Sequence, residues 1–223
     1  MKILKLGTTG DAVDCWQRAL GQPATGLFSL TTDAATRAFQ EAHGLTPDGI
    51  VGPKTWAAAS GLAIVTGEAM ATTAPRTGAI HYVIVHHSDT ATRAGMVRAL
   101  NSPKRKIPAS THYSVDKDGS IHCHADPLEF VTWHCPGANL HGIGVDVVHK
   151  HGEAFTEAQT VATGRLLRWL CKVHGLPVVA LEGRQPVGKG QLGAQAWGVA
   201  GHGQLRATLC PDGFDVAAAL HGR

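Results

Sequence analysis

The sequence predicts two domains: a small all-α module of three helices, then an α/β (α+β) domain with a central mixed β-sheet flanked by helices. Three observations predict this division. Residues 1–60 carry apolar side chains at helical spacing between turn signals. Residues 61–79 lose that period and are rich in Gly, Ala and Thr, which is typical of a linker. In residues 80–223, β-branched runs alternate with helical segments, as in a sheet covered by helices.

Each expected helix of the module has a recognisable start or end. The first spans residues 11–20, with its apolar side chains on one face. The second follows the cap cluster Thr31-Thr32-Asp33 and ends at Gly44. The third begins at Pro53, a residue well suited to the first helical position.

A weak internal repeat precedes the last two helices. Gly26-Leu27-Phe28 is followed by Thr32, and Gly49-Ile50-Val51 is followed by Thr55. Each Thr comes six residues after its Gly. We expect the Gly to reverse the chain and the Thr to start a helix.

The second domain should contain short strands and one long helix. Four stretches have strand character, at residues 82–85, 112–115, 120–122 and 143–148. The turn Lys117-Asp118-Gly119 joins two of them into a hairpin. Thr156 caps the long helix, which ends at Gly175. The Gly- and Gln-rich stretch 183–195 is expected to be a long loop near the functional site.

Composition and charge exclude several classes of function. With 43% hydrophobic and 17% charged residues and a net charge of +3, the chain has a globular composition. Its sole basic run, Lys104-Arg105-Lys106, is expected to be a solvated loop, so nucleic acid is not an expected partner. The mild positive charge favours weak attraction to a polyanionic surface.

The chain shows no export signal and no membrane segment. No stretch approaches the length of a membrane span, and the N-terminus lacks the apolar region of a signal peptide. We therefore expect a protein made in the cytoplasm, without stable membrane association. Its five cysteines are an odd number without close pairs, which indicates mostly reduced, buried thiols.

Three soft metal ligands lie at expected strand ends or in loops. His86 closes the run Tyr82–Val85, and His202 and Cys210 are eight positions apart. Two imidazoles and one thiolate suit zinc, and three protein ligands leave the fourth tetrahedral position open, as in catalytic zinc sites. The pattern therefore favours a zinc hydrolase. Cys135 is the alternative fourth ligand, which would close the site.

The first domain resembles the three-helix peptidoglycan-binding domains found on many cell wall hydrolases. The resemblance rests mainly on the string Asp48-Gly49-Ile50-Val51-Gly52-Pro53-Lys54-Thr55-Trp56. Leu6-Gly7, Gly10-Asp11-Ala12-Val13 and Ala38-Phe39-Gln40 add to it. It implies that this domain targets the enzyme to the wall, and a helical dimerisation or spacer module is the alternative.

Residues 80–215 resemble the zinc-dependent N-acetylmuramoyl-L-alanine amidases, a family that includes amidase-type phage lysozymes and animal peptidoglycan recognition proteins. The resemblance implies Zn²⁺ as cofactor, His86, His202 and Cys210 as its ligands, and cleavage of the amide between muramic acid and L-alanine. The motifs that carry it are Val83-Ile84-Val85-His86-His87-Ser88, Ser110-Thr111-His112-Tyr113, Asp118-Gly119, Trp133-His134, Ile143-Gly144-Val145-Asp146, and Gly201-His202 through Cys210-Pro211.

The resemblance also implies roles for five further residues. Asp146 stands where some members carry a Glu, so it is the implied general base, with a structural strand-end carboxylate as the alternative. Thr208, two positions before the third ligand, is implied to hydrogen-bond the developing oxyanion. His134 matches a position in the substrate cleft, and His112 is a weaker candidate there. His87 is a further substrate-binding candidate, and it ranks below His86 as a metal ligand because strand geometry turns it to the other face.

Together the two resemblances imply a phage endolysin. Such a protein has bacterial peptidoglycan as its partner, is expected to be a monomer, and acts on the wall after a holin releases it from the host cytoplasm. A non-catalytic peptidoglycan receptor using the same cleft is the alternative, and a zinc-stabilised structural domain is a third. Cys210 favours the enzyme, because family members that only bind typically lack this ligand.

Overall fold

The computed structural model describes residues 2–66, 68–70, 73–107, 109–183, 197–205 and 208–222. The chain divides into two compact units, Met1–Ala63 with Lys172–Gly175, and Ile64–Cys171 with Leu176–Arg223. The first is helical and the second contains a mixed sheet with helices, which confirms the predicted fold class. The loop expected at 183–195 lies, apart from Gly183, outside the described residues. Among the helices described, none has both the length and the apolar character required to cross a bilayer.

The first unit packs three helices around an aromatic centre. The helices are α1 (Asp11–Ala19), α2 (Leu30–Ala42) and α3 (Pro53–Ser60). Each contributes one ring, and Trp16 packs edge-on against Phe39 and Trp56 with ring centroids 5.5 and 5.1 Å away. The cap of α2 is Ser29, whose side chain accepts a hydrogen bond from the backbone N–H of Thr32. The cap therefore precedes the predicted Thr31-Thr32-Asp33 cluster.

A buried glutamine holds the turn before α2. The Gln17 Nε2 donates to Thr25 Oγ1, Leu27 O and Thr32 Oγ1 at 2.9, 3.0 and 3.1 Å. Its Oε1 accepts from the Thr25 backbone N–H at 2.7 Å. The side-chain amide thus satisfies polar groups that would otherwise be buried without a partner.

A second glutamine repeats this arrangement before α3. The Gln40 Nε2 donates to Asp48 Oδ1, Ile50 O and Thr55 Oγ1 at 2.8, 2.9 and 3.4 Å. The sequence separations of 8, 10 and 15 residues are those of the Gln17 contacts. The weak repeat in the sequence is therefore a structural repeat, and each of its Thr hydroxyls binds a glutamine.

The second unit contains a six-stranded mixed sheet in the order β1-β5-β4-β7-β3-β8, and β2 and β6 form a separate antiparallel pair. The strands are β1 (Ile64–Thr66), β2 (Thr73–Pro75), β3 (Tyr82–His87), β4 (Tyr113–Val115), β5 (Ile121–Cys123), β6 (Phe130–Thr132), β7 (Gly142–Val147) and β8 (Gly198–Gly201). The helices are α4 (Arg93–Leu100), α5 (Glu157–His174), α6 (His202–Leu205) and α7 (Val216–His221). A short 3₁₀ helix at Asn139–His141 precedes β7.

The segment expected to be a linker contributes two strands to the second unit. Ile64 of β1 pairs in parallel with Ile121 of β5, and Ala74 of β2 pairs with Val131 of β6. Ile64-Val65-Thr66 is a β-branched run that suits an edge strand. Its three residues are too few to stand out in a stretch otherwise rich in Gly, Ala and Thr.

The long helix α5 begins with a reciprocal cap. The Thr156 Oγ1 accepts from the Gln159 backbone N–H at 3.1 Å, and Gln159 Oε1 accepts from the Thr156 N–H at 3.0 Å. Two otherwise unpaired backbone donors are satisfied in this way. The predicted cap at Thr156 is confirmed, and α5 buries Leu166 and Leu170.

Strands β7, β3 and β8 are adjacent and parallel, so their carboxyl ends meet at one edge of the sheet. The β3 residues Tyr82–His86 are buried, and this strand has a parallel neighbour on each side. Open sheets of this kind place functional groups beyond the carboxyl ends of their strands. The candidate site lies there.

Candidate metal centre and cleft

The structure brings together the three residues that the sequence offered as metal ligands. One potential ligand atom from each of His86, His202 and Cys210 lies within 4.8 Å of the other two. The Cys210 Sγ is 3.8 Å from Nδ1 of His86, and the rings of His86 and His202 have centroids 4.6 Å apart. Among the described residues, this cluster contains three members and does not include Cys135.

Strand register explains how two of the ligands meet. Val85 of β3 pairs with Gly201 of β8, and His86 and His202 are the next residues along these parallel strands. The side chains of His86 and His202 therefore start at the same position along the paired strands. The short helix α6 starts at His202 and fixes its backbone immediately after the strand.

A tight loop brings Cys210 back to the strand ends. The Gly203 backbone N–H donates to Cys210 O at 2.5 Å. A Cβ at Gly203 would lie 2.6 Å from Thr208 O, so only glycine permits this approach. The thiol in turn accepts the backbone N–H of His87 at 3.3 Å. The loop thus explains the glycine that follows His202.

Burial and neighbouring groups make the cluster suitable for a soft cation. Burial lowers the pKa of His86 well below its usual value, and His134 and His202 lower it further, so its imidazole is neutral at pH 7. Burial raises the pKa of Cys210 to about 12, with smaller contributions from Asp146 and Cys135. The thiol therefore needs a bound cation to lose its proton near neutral pH. Two imidazoles and a thiol at this spacing fit Zn²⁺.

Asp146 lies beside this cluster. It is the register partner of His86 in β7, so both side chains project from the same face of the sheet. Burial raises the pKa of Asp146 to about 7, and a hydrogen bond with the Thr111 side chain lowers it in part. A carboxyl group that titrates near neutrality is suited to general acid–base chemistry.

A cavity of about 240 Å³ opens over the three ligands and Asp146. Its wall combines apolar, hydroxyl and cationic side chains, and its lining includes Met96, Leu100, Trp133, Ser88, Ser110 and Arg105. Arg105 and Trp133 were not predicted site residues. Trp133 could have been inferred because it precedes His134 in a recognised motif. The position of Arg105 has no comparable signal, because a basic run is usually a solvated loop.

His134 and His87 both line the cavity. The Nδ1 of His134 lies 3.0 Å from Nε2 of His86, so its nearest polar neighbour is a candidate ligand. The Nδ1 of His87 accepts the backbone N–H of Asp212 at 3.0 Å, which ties the Cys210 loop to β3. His134 thus contacts one candidate ligand, and His87 contacts the loop that carries another.

His112 does not reach the cavity, and its expected contact with substrate is corrected here. The side chain is fully buried, and its Nδ1 accepts from Thr132 Oγ1 at 2.8 Å and from the Gly144 N–H at 2.9 Å. Its Nε2 lies 3.1 Å from the Phe130 carbonyl oxygen. Both ring nitrogens are engaged inside the protein, so His112 links β6 to β7.

Thr208 differs from what the resemblance implied, and Cys135 does not take the alternative role of a fourth ligand among the described residues. Thr208 is exposed and is not among the described residues lining the cavity. Its hydroxyl accepts the backbone N–H of Cys210 at 3.3 Å, which supports the ligand loop. Cys135 is fully buried in an apolar cluster with Tyr82 and Ile84, so it packs in the core.

Comparison with protein families gives two matches along the chain. Residues 76–213 match the model of the N-acetylmuramoyl-L-alanine amidase family. Residues 16–59 match the model of a peptidoglycan binding domain. The first match contains every residue of the metal cluster, and the second covers most of the three-helix unit.

The match to a curated relative covers only part of each chain. A curated protein of Kitasatospora aureofaciens, described as an uncharacterized protein in the bpoA1 3′ region, is 44% identical over 62 residues. That match covers 25% of this chain and 52% of that protein, so the chain spans about half the length of its curated relative.

Solved structures are similar to this chain at low sequence identity. The Ph2119 endolysin from Thermus scotoductus MAT2119 bacteriophage Ph2119 is 15% identical, with a TM-score of 0.53 over 71% of this chain and 97% of that one. The endolysine N-acetylmuramoyl-L-alanine amidase LysCS from Clostridium intestinale URNW is 20% identical, with a TM-score of 0.49 over 66% of this chain and 86% of that one.

Proposed function

This chain belongs to the N-acetylmuramoyl-L-alanine amidase family, and we therefore propose that it hydrolyses the amide between N-acetylmuramic acid and L-alanine in peptidoglycan. One observation carries the proposal. His86, His202, Cys210 and Asp146 converge in a single cavity at the carboxyl ends of three parallel strands. Three metal ligands beside one titratable carboxyl group are the components of a zinc hydrolase.

The proposed cofactor is Zn²⁺, held by His86, His202 and Cys210. When bound, zinc polarises the scissile carbonyl and lowers the pKa of water to about 7. The chain contributes neutral imidazoles, because burial keeps His86 unprotonated at neutral pH. It also supplies a thiol that loses its proton to solvent when the cation binds.

Asp146 is the proposed general base. Its carboxylate takes a proton from the attacking water and passes one to the leaving amine of L-alanine. With a pKa raised to about 7 by burial, the group accepts and returns protons at neutral pH. Thr111, whose side chain hydrogen-bonds Asp146, helps to hold the carboxylate on the cavity side of β7.

The cavity wall suits a peptide attached to a sugar. Trp133, Met96 and Leu100 present apolar surface, and Arg105 provides a cation. Stem peptides carry free carboxylates, which guanidinium groups bind well. We assign Arg105 to such a carboxylate and Trp133 to the apolar face of the muropeptide.

The three-helix unit is the proposed wall-binding module, since residues 16–59 match a peptidoglycan binding domain. The partner of both units is then bacterial peptidoglycan. We propose that the protein is a monomeric endolysin that acts on the wall after a holin gives it access from the host cytoplasm. Weak attraction between its net positive charge and the anionic wall supports this role.

Digestion of purified cell walls tests the proposed activity. Released amino groups and new reducing sugars are measured with and without a chelator, for the wild type, Cys210→Ser and the control Cys123→Ser. We expect chelator-sensitive release of L-alanine amino groups without reducing ends, loss of this activity in Cys210→Ser, and retention in the control. New reducing ends, or wall binding without any release, would contradict the proposal, and the latter result would support the receptor alternative.

A further inference from the structure

His134 contacts the candidate ligand His86 on the side away from the thiol. Nδ1 of His134 is 3.0 Å from Nε2 of His86, whereas Nδ1 of His86 is 3.8 Å from Cys210 Sγ. One ring nitrogen of His86 therefore faces the metal cluster, and the other faces His134. Ligating histidines commonly use their second nitrogen in this way, with a carboxylate, carbonyl or water as the partner.

Metal binding fixes the direction of this hydrogen bond. A nitrogen that binds a cation carries no proton, so a neutral His86 that binds through Nδ1 has its proton on Nε2. That N–H then donates to Nδ1 of His134, which must be unprotonated. His134 in turn carries its own proton on Nε2. The pair thus selects one tautomer for each ring.

The backbone around His134 is held in place. The Oδ1 of Asn139 accepts the backbone N–H of His134 at 3.0 Å and that of Cys135 at 2.7 Å. Asn139 is itself buried, at 8% exposure. One side-chain oxygen therefore fixes two consecutive peptide groups next to the cavity.

The His134 ring occupies a slot in β7 made by two glycines. A Cβ at Gly142 would lie 3.1 Å from His134 Cε1, and a Cβ at Gly144 would lie 2.8 Å from His134 Cγ. Both distances are shorter than ordinary contacts between such atoms. The alternating glycines of Gly142-Ile143-Gly144 thus leave room for the ring on the face that also carries Asp146.

We propose that His134 is a positioning residue that accepts the Nε2 proton of His86 and thereby directs His86 Nδ1 to the metal. The proposal rests on the proposed zinc function but concerns metal binding and not amide cleavage. It replaces direct substrate contact as the main role of His134. A histidine here provides an acceptor without adding a negative charge to the site.

Metal affinity of two His134 variants tests the proposal. His134→Ala removes the acceptor, while the Oδ1 of His134→Asn can replace Nδ1. Zinc affinity is measured by competition with a chromophoric chelator, and cobalt-substituted protein gives a visible spectrum sensitive to ligand geometry. We expect His134→Ala to bind zinc about 10- to 100-fold more weakly with a changed cobalt spectrum. We expect His134→Asn to recover most of the affinity.

The matched control is His122→Ala, which removes a half-buried histidine of β5 that bonds Ser120. It should bind zinc like the wild type. Thermal unfolding of the metal-free variants is measured to check that each variant is folded. Wild-type zinc affinity in His134→Ala, or equal weakening in the Ala and Asn variants, would overturn the proposal.

A measurement on the unaltered protein tests the tautomer of His86 without any substitution. Long-range ¹H–¹⁵N spectra identify which nitrogen of each histidine carries the proton. We expect the His86 proton on Nε2 in both the metal-free and the zinc-loaded protein. A proton on Nδ1 would overturn the proposal. A protein with the expected tautomer and zinc affinity that leaves peptidoglycan intact would contradict only the proposed function.

Discussion

Asp146 of β7 is the register partner of His86 of β3, and both side chains enter the same cavity. A carboxyl group and the imidazole of a candidate metal ligand are thus held by paired strands and not by loops. Residues on regular strands hold their geometry more closely than loop residues do. This relationship connects the sheet topology to the proposed chemistry, and Asp146 gives the first two predictions.

Replacing Asp146 by Asn should reduce kcat by about 10²- to 10⁴-fold, because it removes the proposed general base. Zinc content should remain at the wild-type level, since Asp146 is not one of the proposed ligands. In the wild type, kcat should fall as the pH decreases and the carboxylate becomes protonated. The measurement is the pH–rate profile on purified walls. An unchanged rate in Asp146→Asn would remove Asp146 from the mechanism.

The same residue should affect stability in the metal-free protein. Burial raises the folded-state pKa of Asp146 from 3.8 to about 7. The folded state therefore keeps a proton that the unfolded state loses, and the associated stability is fully present below 3.8 and lost as pH rises through about 7.

Asp146→Asn should consequently be more stable than the wild type at pH 8, by on the order of 2–4 kcal/mol. At pH 3.5 the difference should largely disappear. Urea unfolding at both pH values measures it, with Asp118→Asn as the control, because hydrogen bonds with Ser120 lower the pKa of Asp118. A destabilised Asp146→Asn at pH 8 would argue against this burial effect.

Zinc binding should strengthen with rising pH. Burial raises the pKa of Cys210 to about 12, so cation binding must displace a proton that is tightly held near neutrality. We expect the apparent zinc affinity to rise with pH, by up to tenfold per unit for the one proton released by Cys210. Titrations between pH 6 and 8 measure this slope. Cys210→Ala should lose both the affinity and the contribution of its proton, whereas Cys123→Ser should keep them.

Arg105 should contribute to substrate binding. Arg105→Ala is expected to raise KM by about 10-fold, since a hydrogen bond to a charged group contributes on the order of 1.5 kcal/mol, while kcat changes little. Lys106→Ala is the matched control, because it removes an equal charge from a neighbouring residue that is not among the described residues lining the cavity. Equal increases of KM in both variants would indicate a general charge effect.

The two repeated glutamines, Gln17 and Gln40, should contribute similarly to the stability of the first unit. Gln40→Ala removes the donor to Asp48, Ile50 and Thr55 and should lower the free energy of unfolding by about 2 kcal/mol. Gln17→Ala should have a similar effect, whereas the exposed Glu41→Ala should not. Thermal unfolding and binding to insoluble walls are the measurements. A neutral Gln40→Ala would show that the turn does not depend on this amide.

The sequence indicated the candidate metal ligands because they follow or lie near strands whose apolar runs are easily recognised. His86 closes such a run, and His202 and Cys210 lie in a short glycine-bounded string. It also indicated the α5 cap, which belongs to a local pattern, whereas Asp146 was implied by the resemblance of its motif to the amidase family. These features depend on a few neighbouring residues, so they are visible without a structure.

Other features depend on contacts between distant segments. His112 was expected near substrate, but Thr132 and Gly144 occupy its Nδ1. The strands at 64–66 and 73–75 become regular only by pairing with β5 and β6. The local sequence does not indicate which distant segment a residue will contact. These assignments could therefore be made only from the structure.

Anomalous diffraction at the zinc absorption edge, on crystals of the zinc-loaded protein, tests the central claim most directly. We expect one peak within bonding distance of His86, His202 and Cys210, with no fourth protein ligand and an open side towards Asp146. A peak elsewhere, or a zinc ion enclosed by four protein ligands, would contradict the proposed metal centre.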